Sequence, residues 1–300
     1  MQSFSASAKA EICREYPQDG CCALAECFGI LLFCNCFQDS LIKIITESQD
    51  FAKLLPKLFR KAFGVSFDTL PGEETKGKLV FQITDRQKIA PIMESFGFAP
   101  KDTLALHINL PVVEEDCCKA AFLRGAFLAG GSVTDPEKRY HLELATSHMQ
   151  ASREVSTLLE EMGFLPRSVQ RGADSLIYFK QSEHIEDLLT KIGAPAAAMD
   201  IMTAKVDKEI RNGANRAMNC DMANVNKTLD AAREQLTAIA KLRSSPRWRK
   251  LPEKLQQTAA LRLEYPELSL TQLAERCDPP VTKSCINHRM RKLMEEAEQL

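Results

Sequence analysis

The stretch CCALAECFGILLFC (residues 21–34) is followed much later in the chain by a second version of itself, CCKAAFLRGAFLAG (residues 117–130). Both segments begin with a pair of adjacent cysteines, and both continue as an apolar run rich in small residues. Identical residues recur at a constant separation of 96 positions: Cys21 and Cys117, Cys22 and Cys118, Ala25 and Ala121, Gly29 and Gly125, Leu32 and Leu128. This constant register indicates an internal duplication.

Small residues have helical spacing in each of these segments. Ala121, Gly125 and Ala129 lie at i, i+4 and i+8, and Ala25 and Gly29 repeat part of this stripe. Glycine costs a helix about 1 kcal/mol relative to alanine, so its presence needs a reason. A stripe of small residues is typical of two helix backbones that approach closely. We therefore expect a central helix pair about a pseudo-two-fold axis, with two sheets beneath it.

Each half of the duplication has the same predicted order of elements, α-β-α-β-β-α. Alternating or β-branched runs predict strands, and longer amphipathic runs predict helices, the first of them interrupted at Pro56. The expected strands cover residues 40–48, 65–70, 79–85, 139–147, 165–171 and 175–181. The expected helices cover residues 50–64, 86–98, 150–164 and 184–193.

The net charge of −1 hides an asymmetry along the 300 residues. Residues 1–198 carry 21 basic and 26 acidic side chains, whereas residues 199–300 carry 18 and 14. A surface for a polyanion is therefore expected towards the C-terminus. The first residues have no signal-peptide pattern, and the longest near-apolar run is shorter than the ~20 residues of a membrane span. We expect a cytoplasmic protein without a membrane partner.

The 11 cysteines are expected to be reduced in that compartment. Adjacent cysteines lack the C-x₂-C spacing with which two thiolates of one segment chelate zinc. Cysteine in an apolar helix usually packs as a small hydrophobic residue. The pattern predicts core packing, no metal site and no cofactor.

The C-terminal residues predict a helix-turn-helix. A helix from residue 251 is expected to end before Tyr265–Pro266, and Ser269 can cap the short helix that follows. After a turn with two prolines, Thr282 or Ser284 can cap a third helix, whose Ile286, Met290 and Leu293 form one apolar face. A short helix, a turn and a basic amphipathic helix make the unit that places its second helix in the major groove.

Polar and basic side chains of this unit are the candidate DNA contacts. Arg and Asn pair bidentately with guanine and adenine, which makes Asn287 and Arg289 candidates for base edges and Lys283 and Lys292 candidates for phosphate. Thr271 and Gln272 at the start of the second helix are further candidates for phosphate. The full expected set is Thr271, Gln272, Lys283, Ser284, Asn287, His288, Arg289, Arg291 and Lys292. A helical bundle that binds protein is the alternative.

Residues 194–250 predict a helical linker, in which Leu229, Ala232, Leu236 and Ile239 mark an amphipathic helix. Its asparagine-rich part and the basic connector SSPRWRKLP (residues 244–252) are candidates for contacts to DNA or to the other domain; a solvated linker is the alternative for the connector. These candidates are Arg211, Asn215, Arg216, Asn219, Lys227, Arg247, Arg249 and Lys250.

FLRGAFLAGGSV (residues 122–133) resembles the LAGLIDADG helix of homing endonucleases, and CFGILLFCN (residues 27–35) resembles a decayed copy. The resemblance implies two central helices on a saddle of strands, with one metal-binding acid at the base of each helix. Those acids fall on Cys34 and Gly130, and the other acidic position of the motif falls on Leu32 and Leu128. None of these residues offers the oxygen ligands that Mg²⁺ requires, so the resemblance implies a lost nuclease.

Asp39 and Asp135, also 96 residues apart, leave one alternative open. A displaced metal pair would use both carboxylates for cleavage. Aspartate is also common in turns, and Pro136 favours that role for Asp135.

Degenerate LAGLIDADG repeats followed by a helix-turn-helix resemble the WhiA family over nearly the whole chain. The matching stretches include LRGAFLAGGSV, RNGANRAMNCDMANVNKT, LPEKLQQTAALRLEYPELSLTQLAERC and INHRMRKL. The resemblance implies an α+β fold in three parts: a duplicated LAGLIDADG-like domain over residues 1–193 (repeats at about 20–98 and 116–193), a helical linker over 194–250, and an all-α helix-turn-helix domain over 251–300.

The expected function is a nucleoid-associated, DNA-binding transcription regulator of the sporulation and cell-division type, without enzymatic activity. Its expected partner is double-stranded promoter DNA. Two alternatives remain: an active metal-dependent endonuclease that uses Asp39 and Asp135, and a scaffold that binds a protein such as an RNA polymerase sigma factor and does not read DNA. The net negative charge of residues 1–198 favours a protein partner at that end.

Overall fold

The computed structural model describes residues 2–72, 77–98 and 105–300. The chain divides into two compact units, Met1–Lys208 and Glu209–Leu300. The boundary between them falls inside one long helix, so the domain limits expected at residues 193 and 250 remain predictions. Each unit has its own apolar core.

Two central helices, α2 (Gly20–Phe33) and α5 (Asp116–Gly130), form the middle of the first unit. They approach so closely that a Cβ on Gly29 would lie 1.9 Å from the carbonyl oxygen of Phe122. A Cβ on Gly125 would lie 2.0 Å from the carbonyl oxygen of Glu26. Any side chain at either glycine would therefore separate the helices. The expected helix pair is confirmed.

Each repeat contributes one antiparallel sheet. The first has the order β1-β2-β3 and the second the order β4-β5-β7-β6. In the first sheet Phe37 pairs with Ile42, and in the second Ser132 pairs with Glu143. The strands are β1 (Cys36–Gln38), β2 (Leu41–Thr46), β3 (Leu79–Ile83), β4 (Gly131–Val133), β5 (Leu142–Thr146), β6 (Arg167–Arg171) and β7 (Asp174–Phe179).

Among the described residues, five further α-helices and a short 3₁₀ helix (Leu110–Val113) belong to this part of the first unit, and their buried faces join the same core as the central pair. Aromatic packing is prominent there: Phe28 of α2 stacks on Phe96 with ring centroids 4.2 Å apart. The five α-helices are α1 (Phe4–Ile12), α3 (Gln49–Phe63), α4 (Arg86–Ser95), α6 (Met149–Glu161) and α7 (Ser182–Lys191).

Two sequence-based expectations about the first repeat were wrong. Residues 65–70 form no strand but only one bridge, from Thr69 to Gln82. Asp68 in this segment instead accepts backbone hydrogen bonds from Thr84 (2.7 Å) and Asp85 (2.9 Å), which fixes the turn before α4. Pro56 does not interrupt α3, because the buried residues around it hold the helix together and outweigh the roughly 3 kcal/mol that an internal proline costs.

The second unit is entirely helical. The long helix α8 (Pro195–Arg243) begins in the first unit and ends here. A short 3₁₀ helix (Pro246–Lys250) follows, and then α9 (Glu253–Glu264), α10 (Leu270–Glu275) and α11 (Lys283–Glu298). Its core consists of buried apolar residues: Ile239, Leu242, Leu251, Leu255, Ala259, Leu273, Ala274, Ile286, Met290, Leu293 and Ala297.

Within the parts of the chain that the structure describes, no helix combines the length and the apolar character needed to cross a membrane.

Candidate nucleic-acid interface

A proline and two capping residues set limits of the last three helices of the C-terminal unit. The helix α9 ends at Glu264, two residues before Pro266. Ser269 caps α10 through a capping box, in which its hydroxyl accepts from the backbone of Gln272 and the Gln272 side chain accepts in return. Thr282 caps α11 by accepting from the backbone of Cys285 at 3.3 Å. The helix-turn-helix that the sequence predicts is thus present, with residues 276–282 as the turn.

The helix α11 has a buried face and an exposed face. Ile286, Met290 and Leu293, at a spacing of four and three, are at most 2% exposed and pack into the core of the unit. The residues on the opposite side are polar or basic and are all exposed: Lys283, Ser284, Asn287, His288, Arg291 and Lys292. Six of the predicted DNA contacts therefore share one accessible surface, which we call the α11 face.

The α11 face is positively charged. Residues 283–292 include four basic and no acidic side chains, and the acidic residues of this helix begin at Glu295. Glu295 lies 3.4 Å from Arg291 and satisfies part of its charge. Lys283 and Asn287, in the first half of the helix, are exposed and lie away from these acidic residues.

Arg289 occupies a different position from the other predicted contacts. It is half-buried on the flank of α11, and its guanidinium donates to the hydroxyl of Thr258 on α9 at 3.4 Å. The side chain therefore holds α11 against α9. A role for Arg289 in reading a base remains a prediction.

Thr271 and Gln272 are both exposed near the start of α10. The side-chain oxygen of Gln272 is engaged by the backbone and the hydroxyl of Ser269, both at 2.9 Å. Only the side-chain NH₂ of Gln272 is left to donate to an outside partner. The Thr271 hydroxyl takes no part in the capping box.

A buried arginine connects three segments of this unit, and it was not predicted from the sequence. Arg262 of α9 is 1% exposed, and it donates to the side chain of Gln235 at 3.0 Å and to the carbonyl of Leu268 at 2.6 Å. A buried charge without such partners would be strongly destabilising. The pairing ties α9 to α8 and to the segment before α10. The signal available in sequence was an arginine at an otherwise apolar helical position.

The basic connector contributes fewer free cations than its composition suggests. Arg247 donates to Gln299 at 3.0 Å and lies 3.6 Å from Glu296, so it fastens the 3₁₀ helix to the end of α11. Arg249 and Lys250 are exposed. Of the three predicted contacts in this connector, Arg249 and Lys250 are the more exposed.

The asparagine-rich segment lies in the middle of α8 and is solvent-exposed almost throughout. A helix whose side chains are exposed on all sides gains little from packing, so its residues are available to a partner. All five predicted contacts of this segment are exposed: Arg211, Asn215, Arg216, Asn219 and Lys227.

The two positions at which the LAGLIDADG motif carries its acids hold a cysteine and a glycine in the first unit. Cys34 is 7% exposed, and its thiol donates to the carbonyls of Leu31 and Cys36, both at 3.2 Å. Burial raises the pKa of the Cys34 thiol to about 12. At Gly130 a Cβ would lie 2.3 Å from the carbonyl oxygen of Ala145, so no side chain fits there.

Asp39 and Asp135 both lie in the turn of the first hairpin of their repeat. Asp39 is exposed between β1 and β2. Asp135 lies between β4 and β5, and its carboxylate accepts from the backbone of Glu137 at 2.9 Å. That bond is the local turn geometry expected of an aspartate, and it uses one carboxylate oxygen of Asp135.

Comparison with known proteins gives the family. The family model described as the WhiA C-terminal HTH domain matches residues 214–297, and the WhiA LAGLIDADG-like domain matches residues 119–211. Curated relatives match over almost the full length. A probable cell division protein WhiA of Alkaliphilus oremlandii is 35% identical over 99% of this chain and 98% of its own. The chain belongs to the WhiA family.

Other WhiA proteins give the same extent of similarity. A probable cell division protein WhiA of Ruminiclostridium cellulolyticum is 34% identical over 99% of this chain and 98% of its own. Among solved structures, the full-length DUF199/WhiA of Thermatoga maritima covers 99% of both chains with a TM-score of 0.60 and 21% identity. This structural likeness confirms the fold class: a LAGLIDADG-like α+β domain together with a helix-turn-helix.

Proposed function

We propose that the protein is a sequence-specific, DNA-binding transcription regulator in which the α11 face enters the major groove. The observation that carries this proposal is the exposed polar and basic side of residues 283–292, which contain no acidic side chain, opposite a fully buried apolar side. A recognition helix needs both, because the buried side fixes its position and the exposed side meets the bases.

Different residues of the α11 face would serve different parts of the DNA. Asn287 is exposed in the first half of the helix, and an asparagine there can pair with the two groove-edge atoms of adenine. Lys283, Arg291 and Lys292 carry charge suited to phosphate. Thr271, Ser284 and His288 are neighbouring polar contacts, and Arg249 and Lys250 extend the basic surface.

We also propose that the LAGLIDADG-like domain has no nuclease activity. Mg²⁺-dependent cleavage needs carboxylates that hold the metal at the scissile phosphate. The two motif positions hold a buried neutral thiol and a glycine without room for a side chain. A regulator bound to promoters would be found at the nucleoid, and the cell-division names of its relatives accord with control of that process.

The salt dependence of DNA binding tests the role of the α11 face. The full-length chain and the triple variant Lys283→Ala/Arg291→Ala/Lys292→Ala would be titrated onto a labelled duplex at several salt concentrations. Each lost phosphate contact should reduce the slope of log K against log salt by about 0.9. A matched control, Lys138→Ala/Arg139→Ala/Lys191→Ala, removes three exposed charges from the first unit.

The proposal requires that the control variant keep the wild-type slope while the α11 variant loses affinity and slope together. Equal slopes for the α11 variant and the wild-type chain would show that this face does not meet DNA.

A specific observation supports a protein partner as a second candidate. Met218, Met222 and Val225 lie on one side of α8 and are each 57–58% exposed. Exposed apolar residues at helical spacing are typical of a protein-binding surface. RNA polymerase with its sigma factor is the partner that a promoter-bound regulator would meet. The variant Met218→Lys/Met222→Lys should then lose binding to purified polymerase holoenzyme and keep its affinity for DNA; unchanged binding to holoenzyme would remove this candidate.

A further inference from the structure

Four cysteines meet at one end of the central helix pair. Cys21 and Cys22 occupy the second and third positions of α2, and Cys117 and Cys118 occupy the same positions of α5. The helices are parallel, so their first turns lie side by side. The two Cys pairs that open the duplicated segments are therefore neighbours in space.

The sulfur atoms are close enough to share one cation. The Sγ atoms of Cys21, Cys22 and Cys118 all lie within 4.8 Å of one another. The Sγ atom of Cys117 is 4.0 Å from that of Cys118, and its thiol also contacts Cys22 across the helix pair. Four sulfurs bound to a tetrahedral Zn²⁺ at about 2.3 Å would be about 3.8 Å apart. Cys117 lies outside this group of three, so its side chain would have to move towards Cys21 to complete a tetrahedral set.

All four cysteines are free thiols in the structure. A thiophilic cation would displace the thiol protons, as zinc does at structural thiolate sites.

The N-terminal ends of both helices stabilise negative charge at such a site, against the acidic Asp19, Glu115 and Asp116 of the same turns. Four thiolates and one Zn²⁺ have a net charge of −2, and the positive ends of both helix dipoles point at the cluster. Neither the N-cap residue of α2, Asp19, nor that of α5, Glu115, caps its helix through its side chain. The backbone N–H groups of both first turns can thus stabilise thiolates. Cys21 and Cys117 are exposed, so a cation can reach the site from solvent.

We propose that Cys21, Cys22, Cys117 and Cys118 form a site for one thiophilic cation of the Zn²⁺ class, which fastens together the N-terminal ends of the two central helices. The site lies wholly in the first unit and is independent of the DNA-binding proposal. Sequence spacing alone argues against it, because neither Cys pair could hold zinc by itself. Only the pairing of the two repeats brings four sulfurs together.

Metal stoichiometry of the full-length chain tests this site. The reduced, chelator-treated protein would be loaded with Zn²⁺, desalted and analysed for bound metal, with Co²⁺ as a spectroscopic substitute. Wild type should retain about one Zn²⁺ per chain and show the intense thiolate-to-cobalt absorption of a tetrahedral site. Cys22→Ser/Cys118→Ser should lose both signals. The control Cys13→Ser/Cys220→Ser removes two thiols outside the cluster and should keep both.

A second readout uses wild-type protein only and so does not depend on how a variant folds. Alkylation of exposed thiols, mapped by mass spectrometry with and without one equivalent of Zn²⁺, should show protection of Cys21 and Cys117 and unchanged labelling of Cys220. Substoichiometric binding by the wild-type chain, equal retention by the cluster variant, or labelling of Cys21 and Cys117 that Zn²⁺ does not alter would each overturn the proposal.

Discussion

At the scale of single residues, the exposed polar side chains of α11 separate into base-reading and phosphate-binding roles. Asn287→Ala should weaken binding to a cognate sequence by about 1–3 kcal/mol and leave binding to random DNA nearly unchanged, because an amide that pairs with adenine carries sequence information. Fluorescence anisotropy with cognate and random duplexes measures both. Equal losses on the two duplexes would contradict a base contact by Asn287.

Lys292→Ala should behave differently, since a phosphate contact is independent of sequence. We expect similar losses on cognate and random DNA and a salt slope reduced by about 0.9. The same titrations check this expectation. A loss confined to the cognate duplex would show that Lys292 contacts a base instead.

Glu26 is a buried carboxyl in the first unit and makes stability depend on pH. Burial raises its pKa from 4.5 to about 7, and the Arg124 guanidinium 3.5 Å away offsets only part of that shift. Because the folded pKa is the higher one, the stabilising effect of the bound proton is complete below about pH 4.5 and is lost as the pH rises through 7.

The Glu26→Gln variant should therefore lose less stability than wild type between pH 5 and pH 8, with a difference of about 3 kcal/mol at most. Urea unfolding at several pH values measures it. The exposed Glu160→Gln change is the matched control and should follow wild type. Parallel profiles for Glu26→Gln and wild type would contradict a raised pKa.

At the scale of the elements, the closeness of α2 and α5 makes the glycines of the pair indispensable. Gly29→Ala places a methyl carbon only 1.9 Å from the carbonyl oxygen of Phe122, far inside van der Waals contact. We expect the free energy of unfolding to fall by roughly 3 kcal/mol, as for severe overpacking. Gly213→Ala in α8 meets nothing within 4 Å and should instead stabilise its helix by about 1 kcal/mol.

Chemical denaturation of both variants distinguishes close packing from ordinary helix propensity. Close packing at Gly29 and open space at Gly213 predict effects of opposite sign on the free energy of unfolding. A Gly29→Ala chain as stable as wild type would show that the two helices lie further apart.

The sequence predicts best those elements whose ends are set by local chemistry. Pro266 places the end of α9 and Ser269 the start of α10, and Thr282 is one of the two caps predicted for α11, because capping and proline sterics act between near neighbours. The duplicated register predicts the helix pair, because glycine has few other reasons to recur there. The three-residue strands β1 and β4 and the helix α1 were not predicted, since they are too short or too weakly amphipathic to give a periodic signal.

Features that depend on distant residues were not predictable. The four-cysteine cluster requires contact between segments 96 positions apart, and local spacing argued against a metal. Arg289 was chosen for its chemistry, and only the packing of α11 on α9 shows that it is bonded to Thr258. Arg262 and Gln235 likewise meet only after α8 and α9 pack together.

At the scale of the whole molecule, the question is whether any nuclease chemistry survives in the duplicated domain. Wild-type protein incubated with supercoiled plasmid and excess Mg²⁺ should leave the plasmid intact, because the motif positions Cys34 and Gly130 offer no carboxylate. Gel electrophoresis over time measures this. The opposite result is linear product from wild-type protein that the variant Asp39→Ala/Asp135→Ala does not give. That result would establish the displaced metal pair and contradict the proposed lack of nuclease activity.

The proposed regulator binds specific DNA through α11 and does not cut it. Selection of genomic DNA fragments by the full-length chain in the presence of Mg²⁺, with the fragment ends sequenced, tests both properties at once, in parallel with Asn287→Ala. We expect intact fragments enriched around a shared short sequence for wild type, and loss of that enrichment for the variant. Enriched fragments with new, fixed ends, or the same enrichment with and without Asn287, would contradict the proposal.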